Sequence, residues 1–180
     1  MRRAETQTRL AEFMVERIPM SRPFVNEKMK QVAIEVIESK RWVKGPNSLA
    51  FGSEFAHHCG ALSAVPCASG SASLIAAMRL LDIGPGDEVI VPSLTFFASA
   101  SCIEIVGATP VFVDVEEDYW CLDSNEVSKA ITPNTKAIIG VHLFGQPYSI
   151  DSYEGIPVIE DAAQAHGASL GGKTVGSLAD

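Results

Sequence analysis

The chain has 180 residues, of which 47% are hydrophobic and 20% charged, the composition of a soluble globular protein with a sizeable core. Its formal net charge of −8 argues against a nucleic-acid groove, because a phosphate backbone requires clustered lysine and arginine side chains. No apolar run approaches the ~18 residues of a membrane span, and polar residues follow Arg3 where a signal peptide would be apolar. We therefore expect a cytoplasmic protein that binds neither nucleic acid nor membrane.

Cysteines and histidines give no sign of a disulfide framework or a metal site. The four cysteines are scattered without a CxxC pair, which favours reduced, packed thiols. His57 and His58 are adjacent, so their side chains diverge by about 100° on a helix, and no acidic or cysteine partner lies at ligand spacing. We expect no metal site.

The start of the chain differs in character from the rest. Residues 1–19 read as an N-terminal extension with apolar residues at helical spacing, and residues 20–180 read as the main domain. A further helix is predicted before Gly45-Pro46, which breaks it. Asn47 or Ser48 can cap the helix that follows.

From residue 64 onwards, predicted strands alternate with predicted helices. This alternation is typical of right-handed crossovers onto a mostly parallel sheet. We therefore predict an α/β fold with a mostly parallel sheet and helices on both faces. The predicted strands cover residues 65–68, 88–91, 110–115, 137–143 and 156–159. The predicted helices cover residues 73–81, 98–106 and 124–131.

One predicted connection is short for a parallel sheet. About a dozen residues separate the strand that ends near Leu143 from the strand that starts at Ile156, which is the minimum for a helical crossover. We expect the order of the strands to survive this shortening. The covering layer should suffer instead, so that Ile139, Val141 or Val158 is poorly shielded on one face.

Two acidic residues, Glu160 and Asp161, follow the last predicted strand directly. In a parallel sheet, polar groups at the carboxyl end of a strand point into the ligand crevice, and Asp161 occupies such a position. An aspartate there can pair with a protonated heterocycle nitrogen, although it can also simply cap the turn that follows. Glu160 is expected to face the other way, because neighbours in a strand do.

Small residues between 68 and 73 lead from a predicted strand into a predicted helix. Backbone N–H groups and hydroxyls converge at such a helix start, which suits a phosphate group. The alternative is that small residues there only permit tight packing. The segment is not a dinucleotide-binding fingerprint, because GxGxxG is absent.

Taken together, these segments resemble the DegT/StrS-type sugar aminotransferases, which are fold-type I pyridoxal-phosphate enzymes. The resemblance covers about residues 18–180. It is carried most strongly by four ordered motifs at residues 84–93, 107–114, 141–147 and 160–168.

The resemblance implies a role in binding pyridoxal 5'-phosphate for six residues. The cofactor phosphate would lie on Gly70, Ser71 and Ala72. Another three residues would contact the ring: Phe96 would cover one face, Asp161 would pair with the pyridine nitrogen, and Gln164 would reach the phenolic oxygen.

The resemblance also implies an activity. Such enzymes transfer an amino group from an amino acid to a nucleotide-linked keto-sugar, in cell-surface polysaccharide or secondary-metabolite biosynthesis, and they are homodimers. The family's Schiff-base lysine and small C-terminal domain would lie beyond residue 180, and Lys173 matches a non-catalytic position. We therefore expect a truncated large domain that is inactive alone. Two alternatives stay open: a non-catalytic remnant that binds cofactor or partner, and the sugar dehydratase branch of the family.

Overall fold

The computed structural model describes residues 19, 21–150, 153 and 155–179. The chain divides into two compact units, Met1–Gly45 and Pro46–Asp180. The described part of the first unit contains helix α1 (Glu27–Ser39), which Asn26 caps by accepting a hydrogen bond from the Met29 amide. The apolar pattern predicted within residues 1–18 lies outside the described residues.

The second unit is an α/β structure built around a parallel sheet. Four strands lie in the order β2-β1-β3-β4, and each neighbouring pair is parallel. A short antiparallel hairpin, β5-β6, follows. The strands are β1 (Glu88–Pro92), β2 (Thr109–Val113), β3 (Thr135–Val141), β4 (Val158–Asp161), β5 (Ser169–Leu170) and β6 (Lys173–Thr174). The helices are α2 (Pro46–Cys59), α3 (Gly70–Leu80), α4 (Phe97–Ile105) and α5 (Ser124–Ala130), with a 3-10 turn at Leu143–Gly145.

Helices cover both faces of this sheet, as predicted. One apolar cluster packs α3 and α4 against one face, with Met78 and Ile103 fully buried among the strand residues. The other cluster places Val127 of α5 against Ile90 and Ile138 on the opposite face. The predicted α/β fold with a mostly parallel sheet is therefore confirmed. Among the described residues, no helix is long and apolar enough to cross a membrane.

Three predictions of local structure are wrong in detail. Residues 65–68 form no strand, and Pro66 among them has no N–H to give to a ladder. Helix α3 begins at Gly70, earlier than predicted, because the Ser69 hydroxyl accepts a hydrogen bond from the Ala72 amide. Helix α2 begins at Pro46, ahead of the predicted caps, because a proline suits the first helical position, where no N–H is needed.

The short connection after β3 is closed by tyrosines. The Tyr148 ring lies against Gly140, where an added Cβ would come within 2.6 Å of it. Its hydroxyl is 2.8 Å from the Tyr153 hydroxyl, and both side chains are buried in the cluster that contains Ile138. Two aromatic side chains thus cover the sheet face that a longer helical crossover would otherwise cover.

The expectation of poor cover is wrong for two of the three named residues. Ile139 and Val141 are buried, because alternation along β3 turns them towards α3 and α4, away from the short connection. Val158 lies on the side of the short connection and is only partly buried. The loss of cover is therefore limited to β4.

The contact between Gly140 and Tyr148 yields a stability test. We expect Gly140→Ala to lower the free energy of unfolding by about 1–3 kcal/mol, because the new methyl group would overlap the Tyr148 ring. Urea unfolding followed by circular dichroism measures this difference. Gly84→Ala is the matched control, since its Cβ would meet its nearest atoms only at 3.9 Å. Equal stabilities of the two variants would contradict the packing described here.

Candidate active site

A cavity of about 290 Å³ lies at the carboxyl ends of β3 and β4. The first residues of α3 and the start of α4 close its other sides. Parallel α/β sheets bind their ligands at this edge. Five of the six residues singled out in the sequence line this cavity: Gly70, Ser71, Phe96, Asp161 and Gln164. The sixth, Ala72, does not.

The start of α3 forms one end of the cavity. An α-helix offers its first amides no internal partner, so the N–H groups of Gly70 and Ser71 are available to a ligand. The Ala72 amide is different, because it donates to Ser69 Oγ at 3.2 Å. The Ser71 side chain also lines the cavity. This end therefore offers two amides and a hydroxyl in the positive field of a helix start, which suits an anion.

Asp161, the last residue of β4, also lines the cavity. Its Oδ2 accepts a hydrogen bond from Ser99 Oγ at 2.7 Å. Its Oδ1 accepts a longer one, 3.3 Å, from the Ala163 amide. The carboxylate is thus held by neutral donors, and Oδ1 retains acceptor capacity towards the cavity.

Phe96 and Gln164 complete the cavity wall. The Phe96 side chain is 65% exposed and presents an aromatic ring at the mouth. Gln164 Oε1 accepts a hydrogen bond from the Phe144 amide at 2.9 Å. Phe144 itself has a left-handed backbone with φ 54°, which is uncommon for a bulky residue. Because its oxygen is engaged, the Gln164 side chain has its NH₂ group left to donate to a ligand.

Glu160 faces away from Asp161, as the strand alternation predicted. Its Oε2 accepts hydrogen bonds from His142 Nε2 at 3.1 Å and from the Gly176 amide at 2.7 Å. Its Oε1 accepts from the amides of Leu178 and Ala179 at 2.6 and 2.7 Å. Burial acts to raise the pKa of Glu160, but these hydrogen bonds outweigh burial and lower its pKa from 4.5 to about 2.

His142 connects this network to the cavity wall. It is fully buried, and its Nδ1 accepts a 2.7 Å hydrogen bond from the Tyr148 amide. Because Nδ1 is an acceptor, the ring proton lies on Nε2 and is donated to Glu160. These two hydrogen bonds hold His142 in a fixed position, and His142 and Leu143 both line the cavity.

Sequence reasoning missed Ser99, Thr95 and His142. Thr95, just before α4, and Ser99, in the first turn of α4, both follow the carboxyl end of β1, and that position was the available signal. Lys173 is exposed on the hairpin and does not line the cavity. In the described part of the chain, no group of three or more metal-ligating side chains occurs. The four cysteines are free: Cys59, Cys102 and Cys121 are buried, as expected of packed thiols, whereas Cys67 is exposed.

The Glu160 network yields a pH-dependence test. Because folding lowers the pKa of Glu160, its contribution to stability is complete above pH 4.5 and is lost as the pH falls towards 2. We expect Glu160→Gln to cost roughly 2–3 kcal/mol of unfolding free energy at pH 7, since an amide cannot accept all four hydrogen bonds. The cost should shrink as the pH falls from 4.5 towards 2.

Urea unfolding of both proteins at a series of pH values measures this effect. Glu54→Gln, at an exposed position of α2, is the matched control and should leave the profile unchanged. A Glu160→Gln deficit that is the same at pH 3 and pH 7 would contradict the assigned role of the carboxylate.

Known proteins show the same sequence pattern. Residues 23–180 match the DegT/DnrJ/EryC1/StrS aminotransferase family. The chain is 44% identical over 152 residues to UDP-N-acetyl-3-dehydro-alpha-D-glucosamine 3-aminotransferase of Acidithiobacillus ferrooxidans, covering 81% of this chain and 41% of that protein. It is 46% identical over 148 residues to dTDP-3-amino-3,4,6-trideoxy-alpha-D-glucose transaminase of Streptomyces venezuelae, covering 79% and 39%. The chain thus spans about two fifths of the length of these curated relatives.

Solved structures share the fold. The aminotransferase of Psychrobacter cryohalolentis superimposes with a TM-score of 0.84 at 36% identity, covering 89% of this chain and 43% of that one. The PLP-form of a Streptococcus pneumoniae protein described as a sugar aminotransferase gives 0.85 at 32% identity, covering 91% and 47%. A GDP-4-keto-6-deoxymannose-3-dehydratase, 24% identical with a TM-score of 0.84, shares the fold alone and covers 91% and 45%. The resemblance seen in the sequence is confirmed: this chain belongs to the DegT/DnrJ/EryC1/StrS aminotransferase family.

Proposed function

We propose that this chain is the cofactor-binding part of a pyridoxal-phosphate-dependent aminotransferase that acts on a nucleotide-linked keto-sugar with an amino acid as donor. One observation supports this most directly. An anion-binding helix start, a carboxylate, an aromatic ring and an amide line a single cavity whose remaining wall is mainly apolar. A planar heterocycle that carries a phosphate needs this set of groups.

Different residues of the cavity fit the phosphate and the ring of the cofactor. The amides of Gly70 and Ser71 would hold the phosphate, with the Ser71 hydroxyl as a third donor. No lysine or arginine occurs among the residues described as lining the cavity, so helix amides would supply this binding. Ala72 would contribute through the backbone geometry of α3, since its own amide is bonded to Ser69.

At the ring, Asp161 would accept a hydrogen bond from the ring nitrogen and keep a proton there. The bound cofactor supplies an electron-withdrawing ring that stabilises negative charge developing on the amino-acid carbon. Phe96 would cover one face of the ring and exclude water from it. Gln164, whose oxygen is engaged by Phe144, would donate its NH₂ group to the phenolic oxygen.

The substrate class rests on the relatives. Two of them are named for sugars linked to UDP and dTDP, and a third, 40% identical over 172 residues, is GDP-perosamine synthase of Caulobacter vibrioides. The feature these names share is a sugar attached to a nucleoside diphosphate. We therefore favour such a keto-sugar as the amino acceptor. The homodimer expected from the resemblance stays a prediction.

Cofactor binding by the 180-residue chain tests the first part of this proposal. We expect pyridoxal phosphate to quench the intrinsic fluorescence on binding, and both Asp161→Asn and Ser71→Ala to weaken its affinity by about tenfold, the usual effect of losing a hydrogen bond to a charged group. Ser101→Ala, on α4 and outside the cavity lining, is the matched control. Unchanged affinity in both site variants would argue against this cavity as the cofactor site.

The reaction itself is tested on the native protein, purified from the organism that produces it. Incubation with pyridoxal phosphate, L-glutamate and nucleotide-linked keto-sugars should give an amino-sugar nucleotide, identified by mass spectrometry. A dehydrated sugar without nitrogen would favour the dehydratase branch. Cofactor binding without conversion of any acceptor would favour a non-catalytic role.

A further inference from the structure

Ser99 is a buried hydroxyl whose position in α4 is linked to the cavity. It lies in the first turn of that helix, is 0% exposed, and donates to Asp161 Oδ2 at 2.7 Å across 62 residues of sequence. Neither composition nor motif matching singled it out. Among the described residues, the hydrogen bond from the Ser99 hydroxyl is the shortest that the Asp161 carboxylate accepts.

The direction of the hydrogen bonds around Ser99 follows from donor chemistry. An ionised carboxylate only accepts, so the single proton of Ser99 must go to Asp161. The Thr95 hydroxyl lies 3.0 Å from Ser99 Oγ, and since the Ser99 proton is already committed, Thr95 must be the donor of that bond. The three side chains therefore form a one-way chain, from Thr95 through Ser99 to Asp161.

We propose that Ser99 is a positioning residue that orients Asp161 towards the ring nitrogen of the cofactor, with Thr95 fixing the Ser99 hydroxyl in turn. This inference rests on the proposed function. By holding Oδ2 inside the protein, Ser99 presents Oδ1 to the cavity, where the ring nitrogen would donate. The partner of Asp161 is a neutral hydroxyl, which fixes the rotamer of the side chain without placing a positive charge beside it.

Removing the Ser99 hydroxyl should loosen this geometry without removing the carboxylate. Asp161 would keep only the 3.3 Å hydrogen bond from the Ala163 amide. It could then rotate, and its attraction for the ring proton would weaken. The variant should therefore change the protonation of the ring nitrogen. A change in folding stability alone would leave that protonation unaltered in the folded protein.

The test uses the 180-residue chain with pyridoxal phosphate that carries ¹⁵N in its ring. The ¹⁵N chemical shift reports the protonation of the ring nitrogen as the pH is varied. In the unaltered chain we expect a protonated nitrogen well above neutral pH. In Ser99→Ala the proton should be lost about one pH unit lower, a tenfold change in the protonation equilibrium, while Ser99→Thr, which keeps a hydroxyl, restores the original profile.

Two further variants separate positioning from folding. Ser101→Ala, the same change two residues along α4, should leave the ¹⁵N profile unchanged. Thr95→Val removes the second hydroxyl at nearly constant volume and should also lower the pH at which the ring proton is lost. This variant tests the inference independently if Ser99→Ala fails to fold. A chain that binds no cofactor would overturn the proposed function together with this inference. A chain that binds a protonated cofactor with the same profile in Ser99→Ala and Thr95→Val would overturn the role of Ser99 alone.

Discussion

Alternation at the end of β4 places two adjacent carboxylates in opposite environments, and the site is organised around that separation. Glu160 points into the protein, where an imidazole and three backbone amides receive it. Asp161 points to the cavity and is held by a serine hydroxyl and one amide. Neutral donors surround both acids. Among the described residues, no lysine or arginine side chain forms an ion pair with either carboxylate.

The hydrogen bonds of Glu160 hold together the segments that support the cavity wall. Its carboxylate gathers the segment from Gly176 to Ala179 and the imidazole of His142 around β4. His142 in turn fixes Tyr148 through its second ring nitrogen. A single carboxylate therefore links the end of the described chain to the short connection after β3, and the cavity wall at residues 141–143 lies between them. Protonating Glu160 would weaken these contacts together.

The tyrosine cover shows how the fold tolerates a short crossover. A helix normally shields the sheet face between parallel neighbours. Here Gly140 has no side chain, and this lets the Tyr148 ring lie directly on β3 while its hydroxyl reaches Tyr153. The order of the strands and the position of Asp161 are preserved. The consequence of the short crossover is that β4 is only partly buried.

Sequence by itself determined the class of fold and the place where a ligand would bind. Alternating strands and helices indicated a parallel sheet, and the polar residues at a strand end and a helix start indicated where a ligand would bind. Five of the six residues named in advance line one cavity, since the topology of a parallel sheet brings strand ends and helix starts to one edge. These features depend on local pattern and on rules of connection, which a linear sequence carries.

Only the tertiary structure decided the partners of those residues. The bond from Ser99 to Asp161 spans 62 residues, and the contact between Glu160 and Ala179 spans 19, so neither has a local signature. The burial of Ile139 and Val141 depended on which face of β3 each side chain occupies, and the packing of Tyr148 depended on the missing side chain at Gly140. The use of the Ala72 amide by Ser69 was likewise settled by the exact start of α3. Such contacts arise from packing between distant segments, where side-chain shape and hydrogen-bond geometry determine which groups meet.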